Sequence, residues 1–200
     1  MNAPMLFPEI TRDEVFRLET TRLWLRWPTV GDASVMQPWC SLSEVAQWTS
    51  TWAIGASTGQ IAERLARVRA SNALGSGLSL AITPRGDNAR VVGMLGLWLE
   101  AGSVPEFGYQ LDPDWRGRGL MPEAVGGLAQ MAFWLLRSPR LGARVVIGNT
   151  ASRRVLEKCG FVLVGDEVSE SQLYGTRPVH RFELLSPTAN RRAEAMALAG

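Results

Sequence analysis

A short segment rich in glycine and arginine has the composition of a phosphate-binding loop. It comprises residues 112–119, Asp-Pro-Asp-Trp-Arg-Gly-Arg-Gly, between a strand-like and a helix-like segment. Gly117 and Gly119 allow the backbone to turn tightly and to come close to a ligand. The first amides of the helix that follows have no partner within it and can donate to an anion, helped by the helix dipole. Arg116 and Arg118 add positive charge, so the natural ligand is a phosphate or a pyrophosphate.

Two common nucleotide motifs do not match this loop. A Walker loop needs a lysine after its last glycine, and none follows here. The dinucleotide fingerprint Gly-x-Gly-x-x-Gly begins at Gly117 and Gly119, but Pro122 occupies the position of its third glycine. Without further context the loop also fits an ordinary surface turn, so both interpretations stay open at this point.

The cysteines and the histidine are few and scattered. Cys40 and Cys159 are the two cysteines and His180 is the single histidine. They supply no CxxC or Cys/His cluster for zinc and no good Ser-His-Asp triad, so no metal is predicted. Two distant thiols are typical of a reducing compartment, and we predict a cytoplasmic protein. Both thiols also fit as small buried hydrophobic residues.

Length and charge define the class of protein that carries this loop. A chain of 200 residues suits one domain. Its net charge of +2 is too weak to indicate a nucleic acid or a membrane surface as partner. The N-terminus does not have the pattern of a signal peptide, and no apolar run reaches the roughly 18 residues of a membrane helix. We expect a leader with little structure of its own over residues 1–17, one domain over 18–186 and a tail over 187–200.

Periodicity predicts a mixed α/β domain around the loop. Alternation and turn signals predict strands at 22–27, 78–83, 90–100, 104–111, 143–147, 161–164 and 180–185. Helical spacing predicts short helices within 30–52 and longer ones from Ser57 or Thr58 to about Gly75, at 121–136 and at 152–159. The three strands before the loop suggest an antiparallel meander, whereas the strand–helix–strand order from 104 to 164 requires a crossover and some parallel pairing.

The loop and its surroundings resemble one protein superfamily. Arg116-x-x-Gly119-x-Met121 resembles the pyrophosphate motif [QR]xxGx[GA] of the GNAT acetyltransferases. The branch of Rim-type ribosomal-protein N-terminal acetyltransferases is the closer match, because it typically shows a Gly-Tyr strand, an aromatic-x-Gly-[KR]-Gly loop and a Glu-Ala pair. The matching residues are Gly108-Tyr109, Trp115 to Gly119 and Glu123-Ala124.

Two further segments extend the resemblance in the family's order. Residues 149–161 match its Asn-x-x-Ser…Glu-Lys-x-Gly-Phe signature, and residues 18–26 match its opening strand. The resemblance covers residues 18–185. It implies a single GNAT-type domain with a mixed, mostly antiparallel twisted sheet, one parallel splayed strand pair and flanking helices. Met121 departs from the family's small residue, which a backbone contact to the phosphate would tolerate.

For the cofactor, the resemblance implies acetyl-CoA as co-substrate, bound between two splayed strands. Those strands are 104–111 and 143–149, and the main chain of Gln110 and Leu111 would pair with pantetheine as one strand pairs with another. Amides of the loop would hold the pyrophosphate, namely those of Arg116, Gly117, Arg118, Gly119, Leu120 and Met121. Basic residues of the next helix would lie near the nucleotide or simply form a solvated face: Arg153, Arg154 and Lys158.

The resemblance also implies a proton acceptor. An amine attacks a thioester only in its neutral form, so a base or a water relay must take its proton. Glu106 would lie on the strand beside the acetyl position and is the leading base, acting through water; Glu100 is the weaker alternative. The competing interpretation of Glu106 is a surface carboxylate on a strand edge. A backbone amide near Gln110 would stabilise the oxyanion.

The leaving thiolate needs a proton or a hydrogen-bond donor. Many family members use a tyrosine for this, and Leu156 stands at the matching position. Ser152 or Asn149 could stabilise the thiolate instead, although Ser152 also fits as a helix cap and Asn149 as a ligand of pantetheine or water. No covalent acetyl-enzyme is implied, since neither cysteine has an activating partner in the sequence.

The acceptor is the least defined part of this hypothesis. Six tryptophans precede the loop, in the half where the family usually builds its acceptor groove: Trp24, Trp27, Trp39, Trp48, Trp52 and Trp98. Aromatic walls suit a peptide end or an apolar amine, but core packing explains them equally well. Three functions stay open: acetylation of a protein or peptide N-terminus, acetylation of a small amine such as an amino acid, polyamine or antibiotic, and a catalytically silent acyl-CoA-binding module. A homodimer is compatible with each of them.

Overall fold

One eight-stranded sheet organises the residues that the computed structural model describes, 6–99 and 103–191. Its strands are β1 Arg17–Glu19, β2 Leu23–Arg26, β3 Gly77–Pro84, β4 Gly93–Trp98, β5 Glu106–Leu111, β6 Arg140–Val146, β7 Val162–Ser171 and β8 Gly175–Leu185. The spatial order is β1-β2-β3-β4-β5-β6-β8-β7, and only β5 and β6 run parallel. The predicted mixed sheet with one parallel pair is confirmed, as is the antiparallel meander of β3, β4 and β5.

Helices cover both faces of this sheet. Within the described ranges they are α1 Asp32–Cys40, α2 Ser43–Ala46, α3 Thr58–Leu74, α4 Leu120–Leu136 and α5 Thr150–Lys158. Met94 of β4 packs with α1 to α3, whereas its neighbour Leu95 packs with α4 and α5. Successive residues of a strand point to opposite faces, so the sheet separates two apolar cores. None of the described helices is long and apolar enough to cross a membrane.

Local sequence explains where the two long helices begin and end. Ser57 and Gln60 form a capping box at the start of α3, with reciprocal side chain to main chain bonds of 3.3 and 2.9 Å. Gly75, at φ 73°, ends α3 in the left-handed conformation. Gly119, at φ 72°, stands at the N-cap of α4 and has no side chain to cap it. The start of α4 therefore differs from that of α3 in leaving its amides uncapped.

The N-terminal segment carries more structure than its sequence suggests. Phe7 is fully buried, and its amide donates to the Gly75 carbonyl at 2.8 Å. The Trp27 indole donates to the Thr11 carbonyl at 3.1 Å, and β1 already begins at Arg17. The expectation of a leader with little structure is therefore wrong for residues 6–17, because one buried aromatic residue holds this segment against the domain.

Several strand bounds differ from the prediction. Short strands are predicted at 161–164 and 180–185, but β7 and β8 form a hairpin of ten and eleven residues. Most of β7 is exposed, so it lacks the apolar alternation that marks a half-buried strand. β4 and β5 are shorter than the predicted segments 90–100 and 104–111. Residues 187–191 are helical, and the rest of the predicted tail lies outside the described residues.

Candidate active site

The parallel strands β5 and β6 diverge and leave a cleft between them. They pair only through Glu106 with Gly142 and Phe107 with Ala143. Beyond these residues β5 continues to pair with β4, and β6 pairs with β8. From Gly108 onward, the other edge of β5 therefore has no strand beside it. The cleft forms part of a cavity of about 720 Å³.

The glycine-rich loop closes one end of this cleft. Asp112 begins it by accepting a hydrogen bond of 3.0 Å from an amide in the 3-10 turn that follows. Gly117 and Gly119 then adopt φ values of 76° and 72°, which glycine tolerates without strain. No side chain of the described residues caps α4, and Pro122 in its first turn has no amide hydrogen. The remaining first-turn amides keep their hydrogen-bonding capacity for a ligand.

Hydrogen bonds from Arg22, which directly precedes β2, hold this loop in place. Arg22 donates to the Arg118 carbonyl at 2.9 Å and to the Glu123 carboxylate at 2.6 Å. Glu123 also accepts from the Thr20 hydroxyl at 2.6 Å and from the Arg22 amide at 2.7 Å. Burial alone would raise the pKa of Glu123, but these hydrogen bonds and the charge of Arg22 outweigh it and lower that pKa. The opening-strand and Glu-Ala motifs thus meet in one contact that fixes the loop.

Most of the predicted cofactor contacts line the cavity: Gln110, Leu111, Arg116, Gly117, Gly119, Leu120, Met121 and Asn149. Arg118 does not line the cavity, because its guanidinium lies over the Trp115 ring, 4.8 Å from the centroid. Arg153 does not line it either, since it pairs with Glu157 at 2.7 Å on the outside of α5. Two other basic residues of α5 do line the cavity, Arg154 and Lys158.

Gln110 combines burial with an unsatisfied polar group. The residue is only 7% exposed, and neither atom of its side-chain amide has a hydrogen-bond partner among the described residues. Buried amides are normally hydrogen-bonded. The cleft therefore offers a ligand a free strand edge, uncapped helix amides and an unsatisfied carboxamide on the same strand, which fits a pantetheine arm with its diphosphate.

Asn149 and Ser152 meet at the start of α5. The Asn149 side chain accepts from the Ser152 amide at 3.0 Å and caps the helix, so the interpretation of Ser152 as the cap is wrong. The Ser152 hydroxyl instead lies 2.9 Å from the Tyr109 hydroxyl, which also donates to the Ser152 carbonyl at 3.1 Å. Burial raises the pKa of Tyr109, so this phenol stays protonated. The sequence indicated Tyr109 only as half of the Gly-Tyr motif, not as the residue that positions Ser152.

The cavity contains no activated thiol. Leu156 lines it and is fully buried. Burial raises the pKa of Cys40 to about 12 and that of Cys159 to about 11, so both thiols are protonated at neutral pH. Across residues 6–99 and 103–191, the structure brings no three His, Cys, Asp or Glu side chains together as a metal site.

Glu106 lies where the two cleft strands separate. Its strand pairs with β4 on one side and β6 on the other, so the interpretation of a strand-edge carboxylate is wrong. The carboxylate is 24% exposed and pairs with Arg144 at 2.9 Å; Arg144 also pairs with Glu167. The ion pair fixes the carboxylate at the start of the cleft. The weaker alternative, Glu100, lies outside the described residues.

The ring of Trp98 lies over two glycines of the sheet. A Cβ added at Gly108 would come 2.6 Å from this ring, and one added at Gly96 would come 2.9 Å from it. The glycine of the Gly-Tyr motif is thus required by packing rather than by backbone conformation. Trp98 is 38% exposed and lines the cavity together with Glu106, so it forms an aromatic wall near that carboxylate.

The other tryptophans divide between core and cavity. Trp27 and Trp39 are each 5% exposed and donate to backbone carbonyls at 3.1 and 3.2 Å, so they belong to the core. Trp24 lies against Arg17 in β1, with 4.5 Å between the guanidinium and the ring centroid. Trp48 and Trp52 line the cavity. Core packing therefore accounts for Trp27 and Trp39, and an aromatic acceptor wall stays a prediction for the tryptophans that line the cavity.

The β7–β8 hairpin contacts the loop that follows α2. Arg177 donates to the Thr49 carbonyl at 2.7 Å, and the Tyr174 hydroxyl donates to the Trp52 carbonyl at 2.7 Å. The Ser171 hydroxyl donates to the Ser50 carbonyl of the same loop at 3.0 Å. These bonds join two distant segments that line the cavity and bound it on that side.

Comparison with known proteins agrees with this architecture. The acetyltransferase (GNAT) domain matches residues 22–162, so the chain belongs to the GNAT acetyltransferase family, as its motifs predict. It is 46% identical over 82 residues to the Bacillus subtilis (strain 168) protein named "Probable N-acetyltransferase YjcK". That match spans 40% of this chain and 45% of the relative.

Two solved structures share the fold. Mycobacterium smegmatis RimJ in complex with CoA-disulfide superposes with a TM-score of 0.71 at 20% identity, covering 90% of this chain and 93% of that one. A Salmonella typhimurium acetyl transferase that modifies the N-terminal serine of ribosomal protein L7/L12 gives a TM-score of 0.73 at 16% identity, covering 86% and 99%. At such identities the likeness establishes the fold.

Proposed function

We propose that this protein transfers the acetyl group of acetyl-CoA to a primary amine, and that the acceptor is the amino terminus of a protein or peptide. The observation that carries the proposal is the divergence of β5 and β6. One end of their cleft meets the uncapped first turn of α4, and the other begins at Glu106. Family membership and the fold shared with two acetyltransferases of ribosomal-protein type support the same reaction and acceptor.

The chain's own groups suffice to hold the co-substrate. The free edge of β5 at Gln110 and Leu111 would pair with the pantetheine amides. Amides of residues 116–121 would bind the pyrophosphate, and the basic side chains beside them would neutralise its charge: Arg116, Arg154 and Lys158. Acetyl-CoA would supply the acetyl group as a thioester. The contact of Arg22 with Glu123 keeps the loop in place.

In this proposal Glu106 takes the proton of the attacking amine through a water molecule. Its ion pair with Arg144 holds the carboxylate in place for this role. Ser152 and Asn149 would stabilise the leaving thiolate, and Tyr109 positions Ser152 for this through its 2.9 Å contact. The raised thiol pKa values favour direct attack of the amine over an acetyl-cysteine intermediate.

Release of free thiol from acetyl-CoA, measured across a library of peptides and small amines, tests the proposal. We expect release that depends on the amine, with mass spectrometry locating the acetyl group on a peptide's α-amine. CoA binding without turnover of any amine would instead identify a silent acyl-CoA-binding module.

A small-amine acceptor is the second candidate, favoured by one observation. The bonds from Arg177 and Tyr174 to the loop after α2 join two segments that bound the cavity on one side. A cavity bounded in this way suits a short molecule better than an extended chain. If this candidate is correct, single amino acids and their derivatives will be turned over faster than peptides with the same N-terminal residue.

A further inference from the structure

Arg64, a charged side chain that lines the cavity, has no hydrogen-bond or ion-pair partner among the described residues. Arg64 lies on α3 and lines the cavity together with Trp52 and Val68. Its Nε atom is buried without a hydrogen bond, and no ion pair joins Arg64 to any residue in 6–99 or 103–191. The guanidinium carbon lies 6.0 Å from the centroid of the Trp52 ring, at the outer limit of a cation–π contact.

This arrangement differs from that of the neighbouring arginines. Arg144 pairs with two carboxylates, and Arg177 donates to two backbone carbonyls. Arg64 has neither kind of partner among the described residues: its side chain is half-buried, and its Nε–H is shielded from solvent without an acceptor, which is costly for a polar group. Burial lowers the pKa of Arg64, and the positive charge of Arg67 lowers it further. An anionic acceptor on a ligand in the cavity would satisfy this group.

We propose that Arg64 binds a carboxylate of the acyl acceptor, so that preferred acceptors carry a carboxylate close to their primary amine. This inference rests on the proposed function, because it names the acceptor class of that same reaction. A guanidinium recognises a carboxylate through two parallel hydrogen bonds. An aromatic ring beside the guanidinium, such as that of Trp52, stabilises this planar cation by stacking. An acidic side chain near a peptide's amino terminus and the free carboxylate of an amino acid present the same chemistry.

Isothermal titration with the CoA-loaded protein tests this inference without requiring turnover. The probes are matched pairs: serine with serinamide, and amidated serine-initiated tetrapeptides that carry aspartate or asparagine at the second or third position. We expect the acidic member of at least one pair to bind about ten- to a hundredfold more tightly. Arg64→Met should abolish this preference and Arg64→Lys should keep part of it. Arg67→Met, a change at an exposed residue one turn along α3, should leave it intact.

The outcomes separate this inference from the proposed function. The inference is overturned if wild-type protein binds both members of every pair equally or binds none of them, a result that needs no variant to fold. It is also overturned if the preference survives in Arg64→Met. A preference for the acidic member that depends on Arg64, without thiol release from acetyl-CoA, would support the carboxylate site and refute acetyl transfer. The pair that shows the preference identifies whether the carboxylate belongs to a peptide or to an amino acid.

Discussion

Replacing Gly119 by valine separates cofactor binding from folding. Gly119 has φ 72°, and a Cβ at this position would meet only Arg22 Nη2, at an ordinary contact distance of 3.6 Å. The cost to folding is therefore conformational, about 1–3 kcal/mol for a non-glycine residue in this region. At roughly 2–4 °C per kcal/mol for a domain of this size, we expect Tm to fall by about 2–12 °C. The variant should remain folded.

CoA affinity should fall by more than this strain explains. When valine at position 119 leaves the left-handed region to relieve this strain, the neighbouring loop amides rotate away from the position of the pyrophosphate. Each hydrogen bond to a charged group contributes about 1.5–3 kcal/mol, so losing two of them lowers affinity by roughly a hundredfold or more. Isothermal titration with CoA measures the affinity, and thermal denaturation followed by circular dichroism measures Tm.

Gly86→Val is the matched control. Gly86 has φ 86° in the turn between β3 and β4, it has no atom within 4 Å of an added Cβ, and it does not line the cavity. The Tm of this variant should fall by an amount similar to that of Gly119→Val, whereas its CoA affinity should stay that of wild type. If Gly119→Val also binds CoA within about threefold of wild type, the loop amides do not hold the pyrophosphate and the cofactor site is wrongly assigned.

Three further predictions concern residues around the cleft. Glu106→Gln should flatten the rise of activity with pH, because an amide cannot accept the amine's proton. Glu167→Gln, in the same ion-pair network, should keep the wild-type pH–rate curve. If Glu106→Gln also keeps the wild-type curve, Glu106 is not the base. Gly108→Ala should displace the Trp98 ring and destabilise the fold by about 1–3 kcal/mol, seen as a lower denaturation midpoint, and an unchanged midpoint would contradict this packing. Glu123→Gln should destabilise the protein at neutral pH. Since the folded pKa of Glu123 is lowered, its stabilisation is present above the ordinary value of 4.5 and is lost as pH falls through the lowered pKa. The Tm difference from wild type should therefore shrink on acidification below pH 4.5, and a constant difference would argue against an ionised contact.

The glycine loop and the parallel strand pair could be predicted because their signals are local or topological. Glycine spacing, with Pro122 in the first turn of a helix, indicates the loop directly. A strand, a crossover helix and a second strand require parallel pairing within a single sheet. Neither conclusion depends on knowing which distant side chains meet.

The contacts that position the site could not be predicted in this way. Tyr109 and Ser152 are 43 residues apart, and Arg22 and Glu123 are 101 residues apart. These pairs meet only because of the sheet order and strand register, which the sequence pattern does not define. Arg64 shows the same limit, since the apolar stripe of α3 places it off the core face. Its burial depends on Trp52, in a loop whose conformation no periodicity predicts.

The balance of charge in the cavity restricts the acceptor further. Three arginines line the cavity away from the phosphate loop, Arg64, Arg144 and Arg177. Arg144 is neutralised by its pairs with Glu106 and Glu167, so Arg64 and Arg177 carry the charge that no ion pair compensates among the described residues. An excess of positive charge disfavours an ammonium and so lowers the pKa of a bound amine. Part of the deprotonation would then be achieved by the cavity itself, which lessens the demand on Glu106 as the base. The same field repels a polyamine, which carries further ammonium groups, whereas an acceptor with its own carboxylate would compensate the charge of Arg64.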